Sequence, residues 1–152
     1  MQLRSDFWIK WLKTISISII IFGVLLSFTP FIEWTIGQFY YDIFFNKDQY
    51  SLLSKEELLF QRFIYGATGG LLACWGLMIY FITKYGLENN QYWAWKALIS
   101  STLAWFIGDS YASVLTGFEI HAMMNFTVLI LILLPLYSIK KNMVMKTTTN
   151  NS

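Results

Sequence analysis

The sequence predicts an all-α protein, a bundle of four transmembrane helices, and three observations lead to this class. Hydrophobic residues make up 56% of the 152 residues and charged residues only 13%, about half the charged share of a soluble domain. Aromatic residues make up 19%, and many lie near the ends of apolar runs, where their rings favour the headgroup layer. Apolar runs of about 18 residues or more can cross a bilayer core as helices. The four predicted spans cover residues 14–32, 63–83, 93–115 and 120–139.

The first span follows Arg4, Lys10 and Lys13, which is the pattern of a signal sequence. No small-residue cleavage site follows it, and Trp34 and Phe39 continue the aromatic belt. We therefore expect an uncleaved signal anchor.

The distribution of lysine and arginine predicts that both termini are cytoplasmic, an N-in, C-in topology. The outer segments then contain only Lys47, Lys55 and Arg62. The cytoplasmic side collects the other basic residues: Arg4, Lys10, Lys13, Lys84, Lys96, Lys140, Lys141 and Lys146.

The long outer segment, residues 33–60, divides into two halves. Its first half is rich in aromatic residues and carries few charges, which fits either a piece lying in the headgroup layer or an irregular loop. Its second half has Ser54 followed three residues later by Glu57, a capping box, so the second helix is expected to start near Lys55.

The other connections are short. Gly86, Asn89 and Asn90 are the predicted stop and start residues between the second and third spans. Gly117 is suited to a left-handed helix stop, which makes the third and fourth spans a tight antiparallel hairpin. The polar tail, residues 142–152, is predicted to be disordered.

Small residues predict which helices pack together. Lipid tails are as apolar as the side chains, so helices associate chiefly where small residues let their backbones approach closely. The second and third spans each carry a stripe of such residues, and we expect the two stripes to meet. The main members are Gly66, Gly69, Gly70, Ala73, Gly76, Ala104 and Gly108.

Asp109 is the leading candidate functional residue, because an acid near the centre of a bilayer costs about 2.5 to 3.5 kcal/mol. It lies sixteen residues after Trp93, roughly 24 Å along a crossing of about 30 Å and so nearer the outer face. Depth counting places Asn125 and Tyr65 at its level and Arg62, its predicted partner, just above. The full candidate layer is Asp109, Arg62, Asn125, Tyr65, His121, Ser113 and Trp105.

Three interpretations of this layer stay open. It is a polar clamp that fixes helix register in a purely structural partner subunit, or the floor of an outward-facing pocket for a small ligand. The third is a proton or ion step in transport, which predicts a symmetric oligomer because four helices are few for a solute pathway. The predicted partners are the lipid bilayer and either a second copy of the chain or another membrane protein.

The sequence predicts no catalytic residue, metal site or cofactor. His121 lies near Glu119 but lacks further ligands at metal-binding spacing, and no phosphate or dinucleotide motif occurs. Cys74 is the single cysteine, so an intrachain disulfide is excluded. A net charge of +2 gives no reason to expect a nucleic-acid partner.

A succession of short motifs between residues 60 and 137 carries a resemblance. It consists of Arg62, Tyr65-Gly66, Gly69-Gly70, Trp75-Gly76, Trp93, Trp105-Phe106, Asp109, Gly117, Asn125 and Leu134-Pro135-Leu136. This succession resembles a group of small bacterial four-helix membrane proteins without assigned activity, and in outline it is similar to DoxX-like proteins. The resemblance implies a bacterial cytoplasmic membrane and transfers no catalytic residue. His121 stands where the group is expected to have a second asparagine.

Overall fold

The computed structural model describes residues 2–28, 30–44 and 52–149, and all regular elements within them are helical. The all-α class is thus confirmed. The elements are α1 (Gln2–Phe28), α2 (Pro30–Phe44), α3 (Lys55–Phe81), a π-helix (Ile82–Leu87), α4 (Tyr92–Leu115) and α5 (Glu119–Thr149).

Three helices in the described ranges are long and apolar enough to cross a membrane. They are Asp6–Phe28 in α1, Lys55–Leu87 in α3 with the π-helix, and Glu119–Lys140 in α5. The 24 residues of α4 have the length, but Lys96, Asp109 and several hydroxyl side chains lower its hydropathy. The structure therefore describes a membrane protein with three candidate spans, and a fourth at α4 stays a prediction.

The predicted end of the first span at Ile32 is wrong. Helix α1 ends at Phe28 and a new helix, α2, begins at Pro30. Proline has no backbone N–H and is favoured at the first position of a helix, so α2 begins at Pro30 although the apolar run continues. Much of the aromatic segment therefore forms α2, while residues 45–51 lie outside the described ranges.

The start of α3 at Lys55 confirms the capping prediction. The backbone N–H of Ser54 donates to Glu57 Oε2 at 2.7 Å, and the backbone N–H of Glu57 donates to Ser54 Oγ at 3.2 Å. These reciprocal bonds satisfy two donors that a helix start leaves without a partner.

Gly86 does not stop the second span as predicted. It is buried within the π-helix, and a Cβ added to it would overlap that of Ala94. The chain reverses instead at Asn90, whose φ of 56° is left-handed. Because Gly86 has no side chain, the π-helix packs closely against the first turn of α4.

The predicted hairpin between α4 and α5 is confirmed. Gly117 has a φ of 80°, the left-handed conformation that glycine adopts without a steric penalty. The backbone N–H of Phe118 donates to Ser113 O at 2.7 Å and closes the turn.

Contacts divide the chain into two compact units. The larger unit comprises Met1–Ile17 and Met78–Ser152, and the smaller unit comprises Ser18–Leu77. The core of the larger unit is aliphatic, and its fully buried side chains include Leu12, Ile79, Leu98, Ile132 and Leu136.

Two tryptophans attach neighbouring helices to the backbone of α5 in the larger unit. Trp11 Nε1 donates to Leu131 O at 3.1 Å, and Trp95 Nε1 donates to Leu136 O at 3.0 Å. Leu131 lies four residues before Pro135, which has no N–H to complete the helical hydrogen bond to that carbonyl. The Trp11 indole therefore supplies the donor that Pro135 lacks.

Close backbone packing in the smaller unit joins α1 to α3. A Cβ built on Gly69 would lie 2.5 Å from both Gly23 O and Ser27 Oγ, and one on Gly23 would lie 2.5 Å from Ala73 N. Ser27 Oγ also donates to Gly66 O at 3.1 Å. The face of α3 that carries Gly69 thus packs on α1. The predicted packing of the α3 stripe on α4 would join the two units and stays a prediction.

The remaining small residues divide into two groups. A Cβ at Gly66, Gly70 or Gly108 would meet no atom of the described residues within 4 Å, and the contact predicted between these glycines stays a prediction because it would join the two units. Gly76 is buried and Ala104 is exposed. A contact between Gly76 and Ala104 would join the two units, so it stays a prediction.

Helix α5 continues past the predicted end of the fourth span at Ile139. It runs to Thr149, through most of the segment predicted to be disordered, and residues 150–152 lie outside the described ranges. Residues 140–149 contain neither glycine nor proline, so nothing in their composition forces the helix to end.

Candidate functional site

The α4–α5 hairpin places Asp109 and Asn125 at one level. Asp109 lies six residues before the end of α4 at Leu115, and Asn125 lies six residues after the start of α5 at Glu119. At 1.5 Å per residue both are about 9 Å from the turn. His121 lies one turn before Asn125 and therefore on the same face of α5.

These three side chains form a hydrogen-bonded cluster, named the polar cluster below. Asn125 Nδ2 donates to Asp109 Oδ2 at 3.0 Å, and His121 Nε2 lies 3.3 Å from the same oxygen. Asn125 is 5% exposed, whereas the side chains of Asp109 and His121 are 37% and 32% exposed. A buried amide thus anchors an acid and an imidazole that both reach the surface.

The chemistry of the carboxylate decides the proton arrangement. An ionised Asp109 can only accept hydrogen bonds, so His121 must carry a proton on Nε2 to bond with it. A neutral His121 can do so in one tautomer, and a protonated His121 would form an ion pair. With a neutral His121 the polar cluster carries the single negative charge of Asp109. With a protonated His121 the two side chains form an ion pair and the polar cluster has no net charge.

Two serines follow Asp109 on α4. Ser113 is buried, and its Oγ donates to the backbone carbonyl of Asp109 at 2.7 Å. Ser110 Oγ is buried without a hydrogen-bond partner among the described residues. Below the polar cluster the rings of Phe106 and Phe126 meet, with centroids 6.3 Å apart.

Part of the predicted layer is therefore assembled by the hairpin: Asp109, Asn125, His121 and Ser113. Trp105 lies one turn before Asp109 on α4 and is half-buried. Arg62 and Tyr65 belong to the smaller unit, where Gln61 Nε2 donates to Tyr65 Oη at 3.1 Å. The predicted pairing of Arg62 with Asp109 would join the two units and stays a prediction.

The contact of His121 with Asp109 was not predicted from the sequence. A signal was available, because His121 and Asn125 are four residues apart and so share a helix face. No group of three or more His, Cys, Asp or Glu side chains suited to a metal ion occurs in the described ranges.

The fold and the site together define the chain as an all-helical membrane protein with a polar cluster at the turn end of its last helical hairpin. Comparisons with family models, with curated proteins and with solved structures give no match.

Proposed function

We propose that this chain is a four-helix protein of the bacterial cytoplasmic membrane, N-in and C-in, that binds a small ligand through the polar cluster in the outer leaflet. The chain binds this ligand either for a function of its own or as an accessory protein to a membrane partner. The observation that carries the proposal is the polar cluster, in which a part-exposed acid and imidazole rest on a buried asparagine.

The packing of α4 supports a fourth span. Helix α4 lies along α5 from its turn end, where Asp109 bonds to Asn125, to its far end, where Trp95 bonds to Leu136 O. Because α5 is apolar enough to cross the bilayer, a helix packed antiparallel along it occupies the same slab. The polar residues of α4 then require partners within the protein, which the polar cluster provides for Asp109.

The hydrogen bonds around Asp109 support a binding role. Both hydrogen bonds to its carboxylate go to Oδ2, so Oδ1 remains available as an acceptor among the described residues. A ligand complementary to this oxygen carries a cationic group or hydrogen-bond donors.

Thermal unfolding in nanodiscs tests this proposal with two probes: sodium and ethylammonium ions. A probe at 100 times its Kd should stabilise the wild-type protein by about 2.7 kcal/mol. Asp109→Asn, which keeps the shape of the side chain, should retain the fold and lose the shift. Glu119→Gln is the matched control, because it removes an exposed acid at the same end of the hairpin and should keep the shift.

A structural clamp is the second candidate, because both hydrogen bonds of Asp109 link α4 to α5. A clamp predicts that Asp109→Asn lowers the unfolding temperature and that no probe shifts the wild-type protein. If Asp109→Leu leaves expression, stability and probe response unchanged, both candidates are wrong.

A further inference from the structure

We propose that the end of the larger unit opposite the polar cluster binds the phosphate groups of anionic phospholipids. This inference is independent of the proposed function of the polar cluster. It rests on a set of four lysines held against four aromatic rings, which we name the lysine–aromatic surface. Its members are Lys13, Lys84, Lys96, Lys140, Tyr80, Tyr85, Tyr92 and Trp95.

The first half of this surface lies where α1 meets the end of α3 and the π-helix. Lys13 and Lys84 share the ring of Tyr80, each with its Nζ 6.0 Å from the ring centroid. Lys84 also lies 5.2 Å from the centroid of Tyr85. These distances are within the range of cation–π attraction, which holds the ammonium groups at defined positions.

The second half of this surface joins α4 to α5. Lys96 lies 4.8 Å from the Tyr92 ring, and Lys140 lies 4.3 Å from the Trp95 ring. The two rings stack with centroids 5.5 Å apart, so Lys96 and Lys140 each contact one ring of the same aromatic pair.

Contact between the π-helix and α4 makes the two halves one surface. Gly86 packs against Ala94 and the ring of Trp93. Lys84 and Tyr85 come just before that contact in the π-helix, and Tyr92, Trp95 and Lys96 lie around it in α4. All members belong to the larger unit.

Charge on this surface is poorly balanced by the protein. Lys13 forms an ion pair with Glu88. For Lys84, Lys96 and Lys140 no carboxylate partner occurs among the described residues. Three ammonium groups are therefore not neutralised by a carboxylate of the described residues and can bind anions from outside the chain.

The position of the surface identifies those anions. In the sequence Lys84, Lys96 and Lys140 border the apolar runs of α3, α4 and α5, which is where membrane-crossing helices leave the hydrocarbon. Aromatic rings favour this same level, and lipid phosphates occupy it. Lysines here gain affinity for anionic lipid, roughly fivefold each.

Binding of phosphatidylglycerol to the full chain in detergent tests the inference, with phosphatidylcholine and free glycerol phosphate as comparison ligands. We expect tighter binding of phosphatidylglycerol that weakens with added salt, because the attraction is between charges. Equal binding of the two lipids would overturn the inference. If free glycerol phosphate bound as tightly as phosphatidylglycerol, the surface would recognise free phosphate compounds and not a lipid. The wild-type protein alone decides both points.

Variants then locate the site. Lys96→Gln and Lys140→Gln should each weaken binding about fivefold and the double variant about 30-fold, whereas Lys140→Arg should retain affinity. Lys55→Gln is the matched control, since this exposed lysine lies at the start of α3 in the smaller unit. An equal loss in Lys55→Gln, or no loss in the double variant, would show that the lysine–aromatic surface is not the site.

Discussion

Replacement of Trp11 by phenylalanine tests how α5 tolerates a proline inside the membrane. Pro135 leaves the carbonyl of Leu131 without its helical donor, and Trp11 Nε1 donates to it at 3.1 Å. A carbonyl left without a partner costs about 1 to 3 kcal/mol. We therefore expect Trp11→Phe to lower the free energy of unfolding by about that amount, beyond the small loss of ring area.

A double-mutant cycle isolates this effect. Pro135→Ala restores a backbone N–H that can bond to Leu131 O, so Trp11→Phe should be milder in that background, with a coupling energy of about 1 kcal/mol. The assay is reversible unfolding in mixed micelles followed by circular dichroism. Trp95→Phe is the control, because its acceptor, Leu136 O, keeps a helical donor in the N–H of Lys140. An equal loss from Trp11→Phe in both backgrounds would refute the reasoning.

Three further substitutions test local features in the same unfolding assay. Ser54→Ala removes the cap of α3 and should cost about 1 kcal/mol; an unchanged stability would show that the capping box contributes nothing. Gly69→Ala would put a Cβ 2.5 Å from Gly23 O and should cost about 1 to 3 kcal/mol, whereas Gly70→Ala meets open space; equal effects would contradict the α1–α3 packing. Gly117→Ala places a side chain at φ 80° and should cost about 1 to 2 kcal/mol; a neutral result would mean that the turn adopts another conformation.

Local signals in the sequence predicted the features that neighbouring residues determine. Ser54 and Glu57 predicted the start of α3, and Gly117 predicted the turn, because capping and left-handed geometry depend on a few adjacent atoms. Pro30 is an equally local signal, yet the predicted first span continues past it. Hydropathy counts apolar residues and takes no account of a missing N–H.

Contacts between distant segments were not predictable in this way. The bond from Trp11 to Leu131 joins residues 120 positions apart, and only the packing of α1 against α5 brings them together. The small-residue stripes showed which helices can approach closely but not which partner each would take. Gly69 accordingly packs on α1.

The polar cluster was predicted in part. Helix lengths alone place Asp109 and Asn125 at one level, since both lie six residues from the turn. Arg62 was predicted as the partner of Asp109 because of its charge, and that pairing stays a prediction. The contact of His121 with Asp109 was not predicted, although His121 lies one helical turn from Asn125.

Labelling of single cysteines with a membrane-impermeant maleimide tests most directly whether α4 crosses the membrane and places the polar cluster outside. In a Cys74→Ala background, Thr116→Cys marks the exposed α4–α5 turn and Asn89→Cys marks the exposed turn before α4. We predict that intact bacterial cells label Thr116→Cys and that Asn89→Cys is labelled only after lysis. Labelling of both from the same side would contradict a fourth span, and the reverse pattern would place the polar cluster in the cytoplasmic leaflet.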